Sequence, residues 1–268
     1  MSGFDRRIII LIFLFISAHS ISSEGGKTSF SFSVSPSLIA GSGFEYVFST
    51  DSHIRSKLDW PLLPAGGLTA DTEFKLKNGL YFSFISSFII PAYSGRMFDY
   101  DYLNPYDSSM LTHFSEHKAY VKKGLDLNLN IGFMKLLVEY KTPSDKKIRV
   151  SCSPSIGIRY ILNAWDAMDG YTKYPPDTNP PSPVLPNTPT IPVAGLGISY
   201  KQSFILPSVG ILFRFELPRD WKIDLSTQLC PNVIGFAEDF HYKREDGGLK
   251  FVDVFKKKNL SFYLYLSA

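Results

Sequence analysis

Cysteine is nearly absent from this 268-residue chain: Cys152 and Cys230 are too few for a disulfide framework or a thiolate metal cluster, although one bridge between them stays open. Charge of one sign is not in excess either. The 28 Lys and Arg against 25 Asp and Glu leave a net +3, which excludes the basic footprint of a nucleic-acid binder. Long apolar runs are missing beyond the stretch from Ile8 to Ile16, so a bundle of membrane helices is excluded. There is no Gly-x-Ser-x-Gly elbow and no His-Glu-x-x-His pair, which removes the serine-hydrolase and zinc-peptidase signatures. His53, His113 and His117 have no metal-ligand spacing, and no cofactor or metal is expected.

The chain is rich in aromatics, at 15% with 22 Phe and 15 Tyr, beside 19 Gly and 18 Pro. With a mean hydropathy near zero this suits an all-β protein whose aromatics face something apolar. At the N-terminus Arg6 and Arg7 precede the apolar run, and Ser17, Ala18, Ser20, Ser22 and Ser23 follow it, the layout of a secretory signal peptide. Residues 1–23 are therefore expected to be a signal peptide cleaved after Ser20 or Ser23, and residues 24–268 a single mature domain.

Along that domain apolar and polar residues alternate. Phe30, Phe32 and Val34 alternate with serines, and Phe44, Tyr46 and Phe48 follow. Leu68, Ala70, Thr72, Phe74 and Leu76 alternate with Thr69, Asp71, Glu73, Lys75 and Lys77; Asn78-Gly79 then signals a two-residue hairpin turn. The pattern recurs near residues 82–88, 125–133, 150–162, 209–217, 221–229 and 260–266, about eight strands wet on one face only. A soluble sandwich and an outer-membrane barrel share this pattern. Connector lengths favour the barrel: turns at residues 78–79, 143–146 and 218–219 are short, and those between them are long. The proline-rich segment from Asp166 to Pro192 is expected to be extended and without sheet pairing.

With the first strand starting at the periplasm, the connections after strands one, three, five and seven share the outer rim. Asp99-Tyr100-Asp101 and Asp239-Phe240-His241 fall there. Alone, the Asp-x-Asp element is most often a solvated turn or a loose cation site, and the Asp-x-His element an ordinary surface pair. In extended chain, however, residues i and i+2 face one way, so each element aims both polar side chains together. Two such pairs across a barrel mouth supply the parts for activating water: a carboxylate that orients an imidazole, an imidazole that takes a proton, and an acidic pair that holds the water.

At these residues the chain resembles the omptin family of outer-membrane proteases. The resemblance is carried in order by Ser56-Lys57-Leu58-Asp59-Trp60, Met97-Phe98-Asp99-Tyr100-Asp101, Ile198-Ser199-Tyr200-Lys201-Gln202 with Pro207, and Asp239-Phe240-His241-Tyr242. It implies an all-β, antiparallel, up-and-down transmembrane barrel. It further implies Asp99 and Asp101 as the acidic pair, Asp239 orienting His241, His241 as general base, and Glu45 holding a basic substrate side chain. Peptide or protein substrates cut beside basic residues are the implied partners, with outer-membrane lipid around the barrel.

Departures are specific. A second acidic pocket residue expected at position 237 is Ala237, with neighbouring Glu238 as the substitute; His113 stands at another acidic position. The family's lipopolysaccharide-binding positions are occupied by Ile156, Ile158, Tyr160 and Ser203, with Lys256 as a remnant, so dependence on lipopolysaccharide is not expected. The family has ten strands and this chain about eight, so either it closes on eight or it lacks the closing pair. A non-enzymatic outer-membrane barrel whose loops bind a host or matrix partner, and a soluble secreted β-protein, are the alternatives. Trp60, Trp165 and Trp221 fit either interface belts or a packed core.

Overall fold

The computed structural model describes residues 14–15, 18–25, 28–143, 146–176, 178–219, 221–244, 247–257 and 261–267. Among them are fourteen β-strands and no helix. They are β1 (Leu14–Phe15), β2 (Ala18–Gly25), β3 (Thr28–Phe48), β4 (Ile54–Lys75), β5 (Leu80–Ile89), β6 (Ala92–Asp101) and β7 (His113–Phe133). There follow β8 (Lys135–Lys141), β9 (Lys147–Lys173), β10 (Ile191–Glu216), β11 (Lys222–Cys230), β12 (Val233–His241), β13 (Leu249–Lys257) and β14 (Ser261–Ser267).

Beyond the short N-terminal β1 and β2, which pair with β3, these elements line up as eight long antiparallel spans. β4 pairs with β5 over one half and β6 over the other, the two being one span interrupted at Ile90-Pro91, where proline cannot donate to the ladder. Pro231 interrupts β11 and β12 in the same way against β10, and β7 runs on into β8. Among the described residues no ladder joins β3 to β13 or β14. Much of the proposed signal peptide, residues 1–13, 16 and 17, lies outside the described residues.

Period two sorts the side chains in the reverse of a soluble sandwich. Phe32 and Leu38 of β3, Leu68 of β4, Phe84 and Phe88 of β5, Leu129 of β7, Ile156 and Ile158 of β9 and Leu264 of β14 are all exposed on the outer face. Polar groups fill the inside: Asp71, Glu73, Asn130, Arg159, Arg214, Asp224 and Gln228 line a cavity of about 230 Å³. An apolar exterior over a polar interior is the membrane-barrel pattern.

The interior arginines are paired, as burial demands. Arg214 donates from Nε to Asp224 Oδ1 at 2.8 Å and from Nη1 to Glu73 Oε1 at 2.7 Å, reaching across the barrel from β10 to β4. Arg159 donates to Asp126 and lies 4.1 Å from the centre of the Tyr263 ring. Removing one partner of a buried ion network strands the others, at about 3–5 kcal/mol. Arg214→Met is therefore expected to lower the urea midpoint of unfolding in detergent micelles, and Lys222, 3.7 Å from both carboxylates, places the loss at the lower end of that range. An unchanged midpoint would mean the network contributes nothing.

Two local expectations are corrected. The turn at Asn78-Gly79 is one residue longer than a two-residue hairpin: Gly79 N donates to Leu76 O at 3.0 Å, and only Gly79 takes positive φ, at 89°. The segment from Asp166 to Pro192 is not free of pairing, because β9 continues to Lys173 and Ile191, Pro192 and Val193 pair with it. Pro192 is tolerated there because β12 joins β10 only from Ile198 onward, which leaves the start of β10 as an edge. The first outer connection, residues 49–53, is short.

Candidate active site

Antiparallel order puts four connections, residues 49–53, 102–112, 174–190 and 242–248, at one rim, the rim expected from strand parity. Below it, above the outward apolar band, a hydrophobic plug floors the cleft. Trp60 of β4 and Tyr200 of β10 stack across the barrel at 5.3 Å, and Trp165 of β9 lies 6.1 Å from Tyr200. Trp60 and Trp165 are thus packed in the interior, whereas Trp221 is exposed.

The acidic element is not in a loop but in β6, held between β4 and β7 by the pairs Leu58↔Asp99 and Asp99↔Ser115. Asp99 and Asp101 point inward and are 3% and 6% exposed, while Phe98 and Tyr100 between them face out. Asp239 and His241 end β12, at 3% and 6% exposure. The His241 Nε2–H donates to Asp239 Oδ2 at 2.5 Å, which leaves Nδ1 as the free basic nitrogen.

Glu45 of β3 is buried on the same inner face, and its Oε2 has no hydrogen-bond partner among the described residues. Burial, followed by the charges of Asp239, Asp253 and Asp99, pushes its carboxyl up to about 9. Burial, then Asp101, likewise pushes Asp99 up to about 8, with Arg244 pulling the other way. The two dyads are therefore within electrostatic reach of one another, Asp239 acting on Asp99.

Glu238 is not brought to the site. One residue from Asp239 in a strand, it faces out, where Lys250 donates to it at 3.0 Å and Lys201 lies at 3.5 Å. His113 sits at the rim with its ring edge-on to Tyr174, 4.7 Å between centres. His117, buried on β7, has an Nδ1 without a partner among the described residues, and burial lowers its pKa. Cys152 and Cys230 are both free. The lipopolysaccharide positions Ile156 and Ile158 are exposed on the apolar exterior; the side chain of Lys256 lies outside the described residues.

Two groups escape sequence reasoning. Arg244, in the connection after β12, lies 3.4 Å from Asp101 Oδ2 and 3.9 Å from Asp99 Oδ2. Burial opposes its charge, but Asp101 and Asp99 outweigh that and hold its pKa above the arginine range. Asp253 on β13 is the cross-strand partner of Ala237. Hairpin counting outward from Gly247-Gly248, both at positive φ, was the one signal that could have found it.

The arrangement can bind water between an imidazole and two carboxyls in a cleft with acidic walls. The Omptin family model matches residues 26–266. The crystal structure of the outer membrane protease OmpT from Escherichia coli superposes with a TM-score of 0.73 at 16% identity, covering 88% of this chain and 75% of that one. At that identity the superposition speaks for the fold. No curated protein matches the chain in sequence. The family match over nearly the whole domain, on an inside-out antiparallel barrel, makes the chain a member of the omptin family of outer-membrane proteases.

Proposed function

We propose that this protein is an endopeptidase of the outer membrane that cuts beside basic residues with water activated by His241. The observation that carries the reading is the pair of inward-facing dyads, with His241 Nε2 committed to Asp239 and Nδ1 left to take a proton. Water held between that nitrogen and the Asp99–Asp101 pair attacks the scissile carbonyl carbon. Its proton passes to His241, and the imidazolium, stabilised by Asp239, returns it to the leaving amine as the C–N bond breaks. Glu45 receives the basic side chain, its unpartnered oxygen being the acceptor that a cation needs.

On this reading the rim bearing the dyads faces the exterior, and residues 1–23 direct export. Cleavage after Ser20 or Ser23 would remove β1 and the first part of β2, uncovering the edge of β3 with which they pair. Activity without lipopolysaccharide follows from the apolar Ile156 and Ile158. With His113 on the leaving-group side, the preference is for one basic residue rather than a pair.

The test is cleavage of fluorogenic peptides carrying Arg-Arg, Lys-Arg or a single Arg by membranes bearing the protein. Cleavage beside the basic residue supports the reading. Silence from a folded, membrane-inserted chain would overturn it in favour of a binding barrel.

A further inference from the structure

We infer that Asp253 completes the pocket for the basic substrate side chain, facing Glu45 across the position that Ala237 leaves open. The inference rests on the proposed peptidase reading and names a residue within it. In the β12–β13 hairpin Ala237 and Asp253 are directly opposed, and opposed residues of an antiparallel pair share a face. Asp239, two residues on from Ala237, faces inward, so Asp253 does as well. Ala237 has no side chain beyond Cβ, so nothing of β12 stands between the Asp253 carboxylate and the cleft. The neighbouring pair Glu238↔Val252 faces the opposite way, which separates Asp253 from Lys201 and Lys250 on the outer surface.

The cluster is more than a gathering of acids. Glu45 is 7% exposed with Oε2 unpartnered, and Asp239 Oδ1 is likewise buried without a partner among the described residues. Ala237, the residue Asp253 opposes, packs in one buried cluster with Trp60 and Tyr200, and the charge of Asp253 raises both the Glu45 carboxyl and the Tyr200 hydroxyl. That space has carboxyls on two sides and, as its floor, the Tyr200 ring stacked on Trp60. Carboxylates around an aromatic face are complementary to a guanidinium or an ammonium group. Asp253 itself is exposed and Glu45 buried, so an incoming cation meets Asp253 first and Glu45 at depth.

The test uses the full chain in lipid vesicles and two peptides identical except for Arg or citrulline, its uncharged near-isostere, beside the scissile bond. The wild type is expected to favour Arg, and Asp253→Asn to shrink the Arg-to-citrulline ratio of kcat/KM about tenfold, through KM, with Asp253→Glu restoring it. An unchanged ratio in Asp253→Asn, with the wild type active, overturns the assignment and leaves the peptidase reading standing. If the wild type cleaves neither peptide, the peptidase reading fails and binding decides, read by the fluorescence of Trp60 and Trp165 beneath the pocket. Tighter binding of the Arg peptide that Asp253→Asn abolishes supports the pocket; equal binding of both peptides by the wild type overturns it.

Discussion

His241→Ala is expected to lower kcat about 10²- to 10⁴-fold on a basic peptide with little change in KM, because a general base acts in the transition state more than in substrate binding. Asp239→Asn is expected to cost about 10⁴-fold, through the tautomer. The carboxylate accepts the Nε2–H at 2.5 Å; an amide that presents its NH2 there would draw the imidazole proton to Nδ1 and remove the basic lone pair from the water. If the two act as one unit, the double variant is no slower than the slower single variant. Steady-state kinetics on vesicles check all three, with heat-dependent gel mobility as the test of folding. A His241→Ala enzyme with wild-type kcat would remove imidazole from the mechanism, and a double variant slowed by the product of the two effects would separate Asp239 from it.

The eight spans were legible because strands that are wet on one face must alternate, and the inward-facing Asp99–Asp101 and Asp239–His241 pairs because i and i+2 share a side of a strand. Illegible features came from places where the period fails or where contact is made across the barrel. β13 carries Phe251 on the inner face and Val252 and Val254 on the outer, so Lys250 to Phe255 reads as a block rather than an alternation, and Asp253 is hidden inside it. Glu238 looked like a substitute for Ala237 by nearness in sequence, yet one step along a strand is the wrong face. Arg244 reaches Asp101 from a connection 143 positions away, and no local pattern encodes that. The inward placement of Trp60 and Trp165 is equally non-local: an aromatic on a barrel strand fits an interface belt or an interior stack, and only Tyr200 on the opposite wall decides it.

Asp99→Asn is expected to split activity from stability in a pH-dependent way. Burial, then Asp101, raises the folded-state carboxyl from 3.8 to about 8, so between those values the native chain binds a proton that the unfolded chain has released. Stability from this group is therefore fully present below the unfolded value and is lost as pH rises through about 8. An asparagine mimics the protonated carboxyl and never ionises. Near pH 3, below the unfolded value, the variant and wild type should melt alike; the gap then opens as pH rises, and near pH 9.5 the variant should melt higher, by roughly 2–4 °C for each kcal/mol the buried charge costs in a chain of this size. Catalysis moves the other way: with no proton to release or share, the variant is expected to lose about 10²-fold in kcat. If the protonated form is the one that holds the water, wild-type kcat falls as pH rises through about 8 while the variant's residual rate loses that alkaline limb. Thermal melts and pH–rate profiles on the same vesicles distinguish the possibilities. An alkaline limb that survives in Asp99→Asn would assign the ionisation to another group, and equal melting near pH 9.5 would mean that Arg244, 3.9 Å away, already neutralises the Asp99 charge.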